Sequence, residues 1–243
     1  SFGYALARAY AALPQEFHGV RRLAANTVGA PRGGVLTIPA FYRRFTGCPG
    51  VPPENLAWLA VPEYALACAV SGAVFSDPLG EFSKIRAQLA KGYPEDVRRK
   101  KTAARAIEMA QAGQYNYMRC IRHGEAGAAR MALHAFCEAA LSMLYLLNRR
   151  YMPFYKWALR GARELPRLQG LADSLETLLC SGGAPSGAAA NQALIEQICA
   201  CIAAELRAQG LSAEHCDYLE PHAFSVFSGI TDQKLRALDI FAG

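Results

Sequence analysis

From Glu81 onward the apolar positions recur with a helical period, and breaker residues divide them into segments. Glu81 to Lys91 reads as one helix, broken by Gly92-Tyr93-Pro94. Pro94, at a first helical position, opens a long second helix to about Arg122, with Glu95 and Asp96 in the first turn where the helix dipole favours negative charge. His123-Gly124 ends it, and Glu125 to Asn148 forms a third helix, apolar through most of its length. Pro153 opens a fourth, Phe154 to Leu165, closed before Pro166; Leu168 to Cys180 is a fifth. Ser181 to Ala189, rich in glycine and serine, reads as a flexible link. Ala190 to Gln209 is a sixth helix stopped by Gly210, followed by a turn and a short terminal helix over Thr231 to Phe241. Long helices with short connections predict an up-and-down bundle.

The first 80 residues have a mixed pattern. Phe2 to Leu13 predicts a helix ended by Pro14, Phe41 to Phe45 at least one helical turn, and Pro62 to Val70 another helix opened by proline and glutamate. Gly47 to Pro53 is a loop by its prolines and glycines. After Gly33-Gly34, the β-favouring run Val35-Leu36-Thr37-Ile38 predicts a short strand, as does Ala73-Val74-Phe75. Two short strands alone are marginal, so they read as pieces of a sheet whose other strands are missing. The expected fold is mainly α: residues 81–243 a helical bundle that binds substrate or nucleotide, preceded by a small α/β remnant over residues 1–80.

Composition narrows the class. The 243 residues are 52% hydrophobic and 19% charged, a globular balance with room for a substantial core. Apolar runs such as Ala139 to Leu147 are shorter than the roughly 20 residues of a membrane span, so no membrane partner is expected. Ser1 to Leu13 carries Arg8 and no cleavage pattern, and the expected setting is cytoplasmic. The eight cysteines form no Cys-x-x-Cys pair and read as reduced, mostly buried thiols; no metal site is expected. The formal charge of +6 owes part of its excess to the consecutive Arg98, Arg99, Lys100 and Lys101, which suits a phosphate-bearing ligand or an acidic partner. No aromatic-interleaved basic groove accompanies it, which argues against nucleic acid.

Two polar stripes carry the candidate chemistry. At roughly 100° per residue, His134, Glu138, Tyr145 and Asn148 share one sector of the third helix, and Glu108, Gln111, Tyr115, Arg119 and Arg122 share one of the second. Antiparallel packing could turn the stripes toward each other as a ligand lining, or the second could be a solvated face. Glu138 stands among apolar residues and is either a salt-bridge partner of Arg119 or Arg122 or a ligand and proton-transfer residue. The segment from Asn148 to Trp157 gathers three cations and four aromatics around one proline-marked helix start, an arrangement able to hold an anion or to anchor a helix turn. There is no Walker-type loop, no Gly-x-Ser-x-Gly elbow and no His-Glu-x-x-His.

Gln114-Tyr115-Asn116-Tyr117-Met118-Arg119, Phe136-Cys137-Glu138 through Leu147-Asn148-Arg149-Arg150-Tyr151, and Pro153-Phe154-Tyr155-Lys156-Trp157 resemble a bacterial family, the domain of unknown function numbered four thousand and thirty-seven. Further matches run from Leu13-Pro14-Gln15-Glu16-Phe17-His18-Gly19 through Trp58 and Pro62-Glu63 to Gly72-Ala73-Val74-Phe75-Ser76-Asp77 with Gly80-Glu81-Phe82. The family is found behind nucleotidyltransferase-like N-terminal halves and resembles the helical C-terminal domain of aminoglycoside (kanamycin-type) nucleotidyltransferases, which closes over nucleotide and acceptor.

What the resemblance implies is a nucleotide or a small hydroxyl-bearing acceptor as ligand. Tyr155 and Lys156 would touch phosphates, with Tyr115, Asn116, Arg119, Arg122, Tyr145 and Asn148 lining the site. Glu138 would be the candidate base and Asp77 an added carboxylate at the active-site edge. The Gly-Ser and paired acids that clamp magnesium in such enzymes are not found in this chain, which begins after the point where they should be. Mg and ATP or another nucleoside triphosphate are therefore expected only with a missing N-terminal half, and this chain alone is expected to be inactive. A non-catalytic protein-interaction module is the competing reading, and a homodimer stays open.

Overall fold

The computed structural model describes residues 2–21, 34–181 and 185–243. The first helix, α1 (Phe2–Ala12), is solvent-facing and is followed by a two-residue antiparallel pair, β1 (Glu16–Phe17) with β2 (Val20–Arg21). These are the strands among the described residues. Neither strand read from the sequence forms. Residues 35–37 and 73–75 carry no regular structure, since among the described residues no neighbouring backbone completes a ladder with them. Gly33 and residues 182–184 of the expected link lie outside the described residues. Thr37 and Ile38 instead begin a helix, α2 (Ile38–Thr46), where Thr37 Oγ1 accepts from the Ala40 amide at 3.3 Å and Pro39 sits in the first turn.

Three short helices follow: α3 (Asn55–Leu59), α4 (Glu63–Val70) and α5 (Glu81–Leu89). The expected long second helix is continuous from Glu95 to Arg122 but not uniform. It runs as α6 (Glu95–Met109), a π-helical segment (Ala110–Tyr117) and α7 (Met118–Arg122). The apolar third helix is α8 (Ala126–Leu147), followed by α9 (Tyr155–Ala162), α10 (Leu171–Cys180) and α11 (Ala188–Ala208). The C-terminal part holds α12 (Leu219–Ser228), which the pattern reading passed over as a turn, and α13 (Gln233–Arg236). The fold is mainly α.

The main core lies where α6, its π segment, α8, α10, α11 and α12 meet, around Met109, Phe136, Met143, Leu144, Leu175 and Ile198. Each such large side chain contributes about 1.5–3 kcal/mol when taken out of water. Among the described residues α8 is the one helix long and apolar enough to cross a membrane, but most of it is buried among its neighbours, which makes it the central helix of this core. A second core joins Tyr42, Trp58, Leu66 and Leu89 to Val97, Leu146, Tyr151, Ile230 and Leu235, so packing is continuous across residue 80.

The basic run also differs from expectation. Four consecutive helical residues point around most of a turn, so some must face inward. Arg98, Lys100 and Lys101 are buried. Arg98 bonds Glu95 and the Gln209 side chain, and the Lys100 ammonium donates to the Leu238 and Asp239 carbonyls beneath the Phe227 ring. Of the cysteines, Cys137 and Cys199 are buried while Cys68, Cys180 and Cys216 are exposed, so most are not core thiols.

Candidate functional site

Glu138 lies on the outer face of α8, exposed rather than buried, because the packed face of this helix is carried by Phe136, Cys137, Ala139 and Ala140 on either side of it. It lines three cavities at once. The first, about 480 Å³, lies between the π segment and α8 and is lined by Arg105, Glu108, Gln111, Asn116, Glu138 and Phe241 among others. The second, about 340 Å³, adds Glu63, Lys101, Ser142 and the Pro153-Phe154-Tyr155 corner. The third, about 430 Å³, is more apolar and includes His134, Cys137, Met152, Tyr155 and Leu159. With Glu138 and Arg105 shared between the first two, and Glu138, Met152 and Tyr155 between the last two, they form one groove along α8.

The groove floor is an ionic cluster. The Lys101 ammonium lies 3.6 Å from Glu63, whose carboxylate accepts from Ser142 Oγ at 3.0 and 3.2 Å. Burial pushes the Lys101 ammonium below its ordinary value, and Glu63 works against that. Arg105 donates to Glu108 at 2.7 Å and to the Gly243 carbonyl, while its Nε–H is buried without an acceptor among the described residues. Burial holds the Glu108 carboxyl above the usual carboxylate range, with Arg105 opposing and Glu138 reinforcing the shift. Glu138 has no ion pair or hydrogen bond through its side chain among the described residues, and the expected alternative of a salt bridge to Arg119 or Arg122 does not form.

The two sequence stripes do not face each other as drawn. A π segment advances by less than 100° per residue, so across residues 110–117 the phase lags by roughly a quarter turn. Asn116, not Tyr115, therefore joins Glu108 and Gln111 in the groove. Tyr115 and Arg119 pair with each other on an exposed face, and Arg122 is exposed in the last turn of α7; none of the three lines the groove. Gly113 permits this geometry: a β-carbon there would collide with the Phe136 ring and meet Ile195 Cγ2 at 2.9 Å.

Other expected site residues have structural partners. Tyr145 is buried, its hydroxyl donating to the Ala158 carbonyl at 2.7 Å, and burial pushes its phenol up to about 12. Asn148 clamps the end of α8, donating to the Leu144 and Arg167 carbonyls and accepting from the Arg167 amide. Asp77 caps α5 by accepting from the Ser83 amide at 2.7 Å, a bond that lowers its carboxyl's pKa, and it takes no part in the groove. Tyr155 lines two of the groove cavities with its ring largely exposed, beside Phe154 at 4.6 Å between centroids. Lys156 is exposed and lines none of the three cavities, its ammonium lying 5.9 Å from the Phe154 centroid.

Lys101, Arg105, Glu63 and Ser142 were missed as groove residues. For Lys101 the consecutive cations were the available signal, since they could not all reach water, and for Glu63 the Pro62-Glu63 match to the family; Arg105 and Ser142 gave none. No group of three His, Cys, Asp or Glu that could hold a metal ion occurs among the described residues.

Residues 58–158 match the family model described as a domain of unknown function (DUF4037). That segment carries Glu63, Lys101, Arg105, Glu108, Asn116, Glu138, Ser142 and Tyr155, while the Leu13 to Gly19 run lies outside it. No curated protein and no solved structure matches the chain.

Proposed function

We propose that this groove, most of whose lining falls in residues 58–158 that match the DUF4037 model, is the ligand-facing wall of a nucleotidyltransferase-like protein, binding a nucleotide or a small hydroxyl-bearing acceptor. The observation that carries the reading is Glu138: an unpaired carboxylate at the junction of three cavities, above an arginine with an unused buried N–H. The partly exposed Arg105 guanidinium is a donor for ligand oxygens, and the Phe154 and Tyr155 rings offer faces for stacking. Glu138, or Glu108 with its raised pKa, would accept the proton of an acceptor hydroxyl. By the resemblance, magnesium would be held by carboxylates of a nucleotidyltransferase-like N-terminal half. Eight free cysteines fit a reducing, cytoplasmic setting.

Calorimetric titration of the chain with ATP, and separately with a hydroxyl-rich amino sugar, tests the reading. Binding of either that weakens in Glu138→Gln or Arg105→Gln supports it; absence of binding by both rejects it. The second reading, a protein-interaction module, draws on apolar side chains left in solvent at Phe75 (97% exposed), Leu79, Tyr4 and Phe17. A stable complex in pull-downs that Phe75→Ser with Leu79→Ser abolishes would favour it.

A further inference from the structure

A fourth cavity, about 690 Å³, lies on the other side of the Tyr151 to Pro153 segment from the groove. Its walls come from the end of α4 (Ala67, Val70), the end of α8 with the following loop, and the end of α9 with Leu165 and Pro166. The walls are largely apolar, yet three charged side chains line them: Arg149, Arg150 and Glu164. Arg149 is committed elsewhere, pairing with Glu95 at 3.2 Å. The Arg150 guanidinium and the Glu164 carboxylate have neither an ion-pair nor a hydrogen-bond partner among the described residues, and they do not pair with each other.

The loop that presents Arg150 is tied to the end of α8 and to Gly92. The Arg150 amide bonds the Tyr145 carbonyl at 2.9 Å, closing the end of α8 with Arg149 in the left-handed region at φ 54°. Gly92 packs against that turn, where a β-carbon would stand 3.0 Å from the Arg149 carbonyl oxygen. On the opposite wall Tyr145 is fixed by its bond to Ala158, and Gly161 leaves room for its hydroxyl. A non-glycine residue at positive φ is strained, and such strain persists where the surroundings fix it. The two unpaired opposite charges therefore stand on walls whose backbones are tied by these contacts.

The geometry points to this cavity as a second binding site, for a small zwitterion whose oxyanion meets Arg150, whose ammonium meets Glu164, and whose apolar body lies against Ala67, Val70 and Leu165. A singly charged ligand would leave one of the two residues unmatched, so both charges of the ligand count.

Nuclear magnetic resonance titration of the full chain tests this with L-leucine and 6-aminohexanoate, which span short and long charge separations, and with 4-methylpentanoate and isopentylamine, which carry one charge each. At least one zwitterion is expected to bind at millimolar concentration and to bind more tightly than both single-charge probes. Arg150→Gln and Glu164→Gln are each expected to weaken it by about threefold to fivefold. Glu138→Gln, in the separate groove, leaves it unchanged. Both side chains are exposed and unpaired, so the variants are expected to fold, which their amide spectra check. No zwitterion binding, equal binding of a single-charge probe, or full affinity in either cavity variant overturns the assignment.

Discussion

Lys101 and Glu63 stand 3.6 Å apart with side chains 6% and 12% exposed, so an ion pair between α6 and α4 is sealed beneath the groove. An ammonium in this position loses hydration that the carboxylate restores in part, which is why burial shifts Lys101 downward despite its partner. Removing one member leaves the other charge buried. Lys101→Met is expected to destabilise the fold by about 3 kcal/mol, and the double variant Lys101→Met with Glu63→Leu by less than the single. Urea unfolding midpoints of the three proteins check this.

Gly113 sets the distance between the π segment and α8. Alanine would gain helix propensity but would drive its methyl into the fully buried Phe136 ring, which has no free space to retreat into. Gly113→Ala is expected to cost about 1–3 kcal/mol, and Phe136→Leu in that background to recover part of the loss relative to its effect alone. Thermal unfolding of the four-member cycle measures it.

The acid limb of stability is expected to depend on Asp96. Burial works against its charged form, but donation from the Thr231 hydroxyl at 2.7 Å and the Thr231 and Asp232 amides outweighs it, so the folded pKa is lowered. A lowered value means stability that is present above the unfolded pKa of about 3.9 and lost as pH falls through the folded one. Glu108, raised by burial, has the opposite sign: its share is present below an unfolded value of about 4.3 and lost as pH rises through the folded one. Asp96→Asn should flatten the acid loss of stability and Glu108→Gln should steepen it, read from unfolding midpoints between acid and neutral pH.

Glu138 supports no partner, so it separates function from folding. Glu138→Gln is expected to change stability by less than about 0.5 kcal/mol while lowering affinity for the groove ligand. Chemical denaturation beside titration gives both values on one protein.

The helices were legible where breakers and periodicity agreed, as at Pro94, Gly124, Pro153 and Gly210, and the resemblance read from Trp58 through Trp157 falls within the matched segment. The groove was legible through Glu138, Asn116 and Tyr155. Tyr115, Arg119 and Arg122 were misplaced because a π segment leaves no mark in a count of 100° per residue, whereas Gly113 inside an otherwise helical run was its available trace. The strand readings at 35–38 and 73–75 failed because β propensity reports a suitable surface, not the presence of a partner strand. Asp77 looked like a carboxylate at a strand end and is a helix cap, since the sequence Asp77-Pro78-Leu79-Gly80 brings its side chain back to the Ser83 amide.

The proposed function requires the three cavities meeting at Glu138 to act as one ligand groove. Backbone amide shifts mapped during titration with ATP, and then with the hydroxyl-rich amino sugar, test it most directly. At least one of them is expected to shift residues 105–116, 132–142 and 152–155 together along a single binding curve. Shifts absent from all three segments with both ligands, or confined to the exposed stretch 72–79, would contradict it.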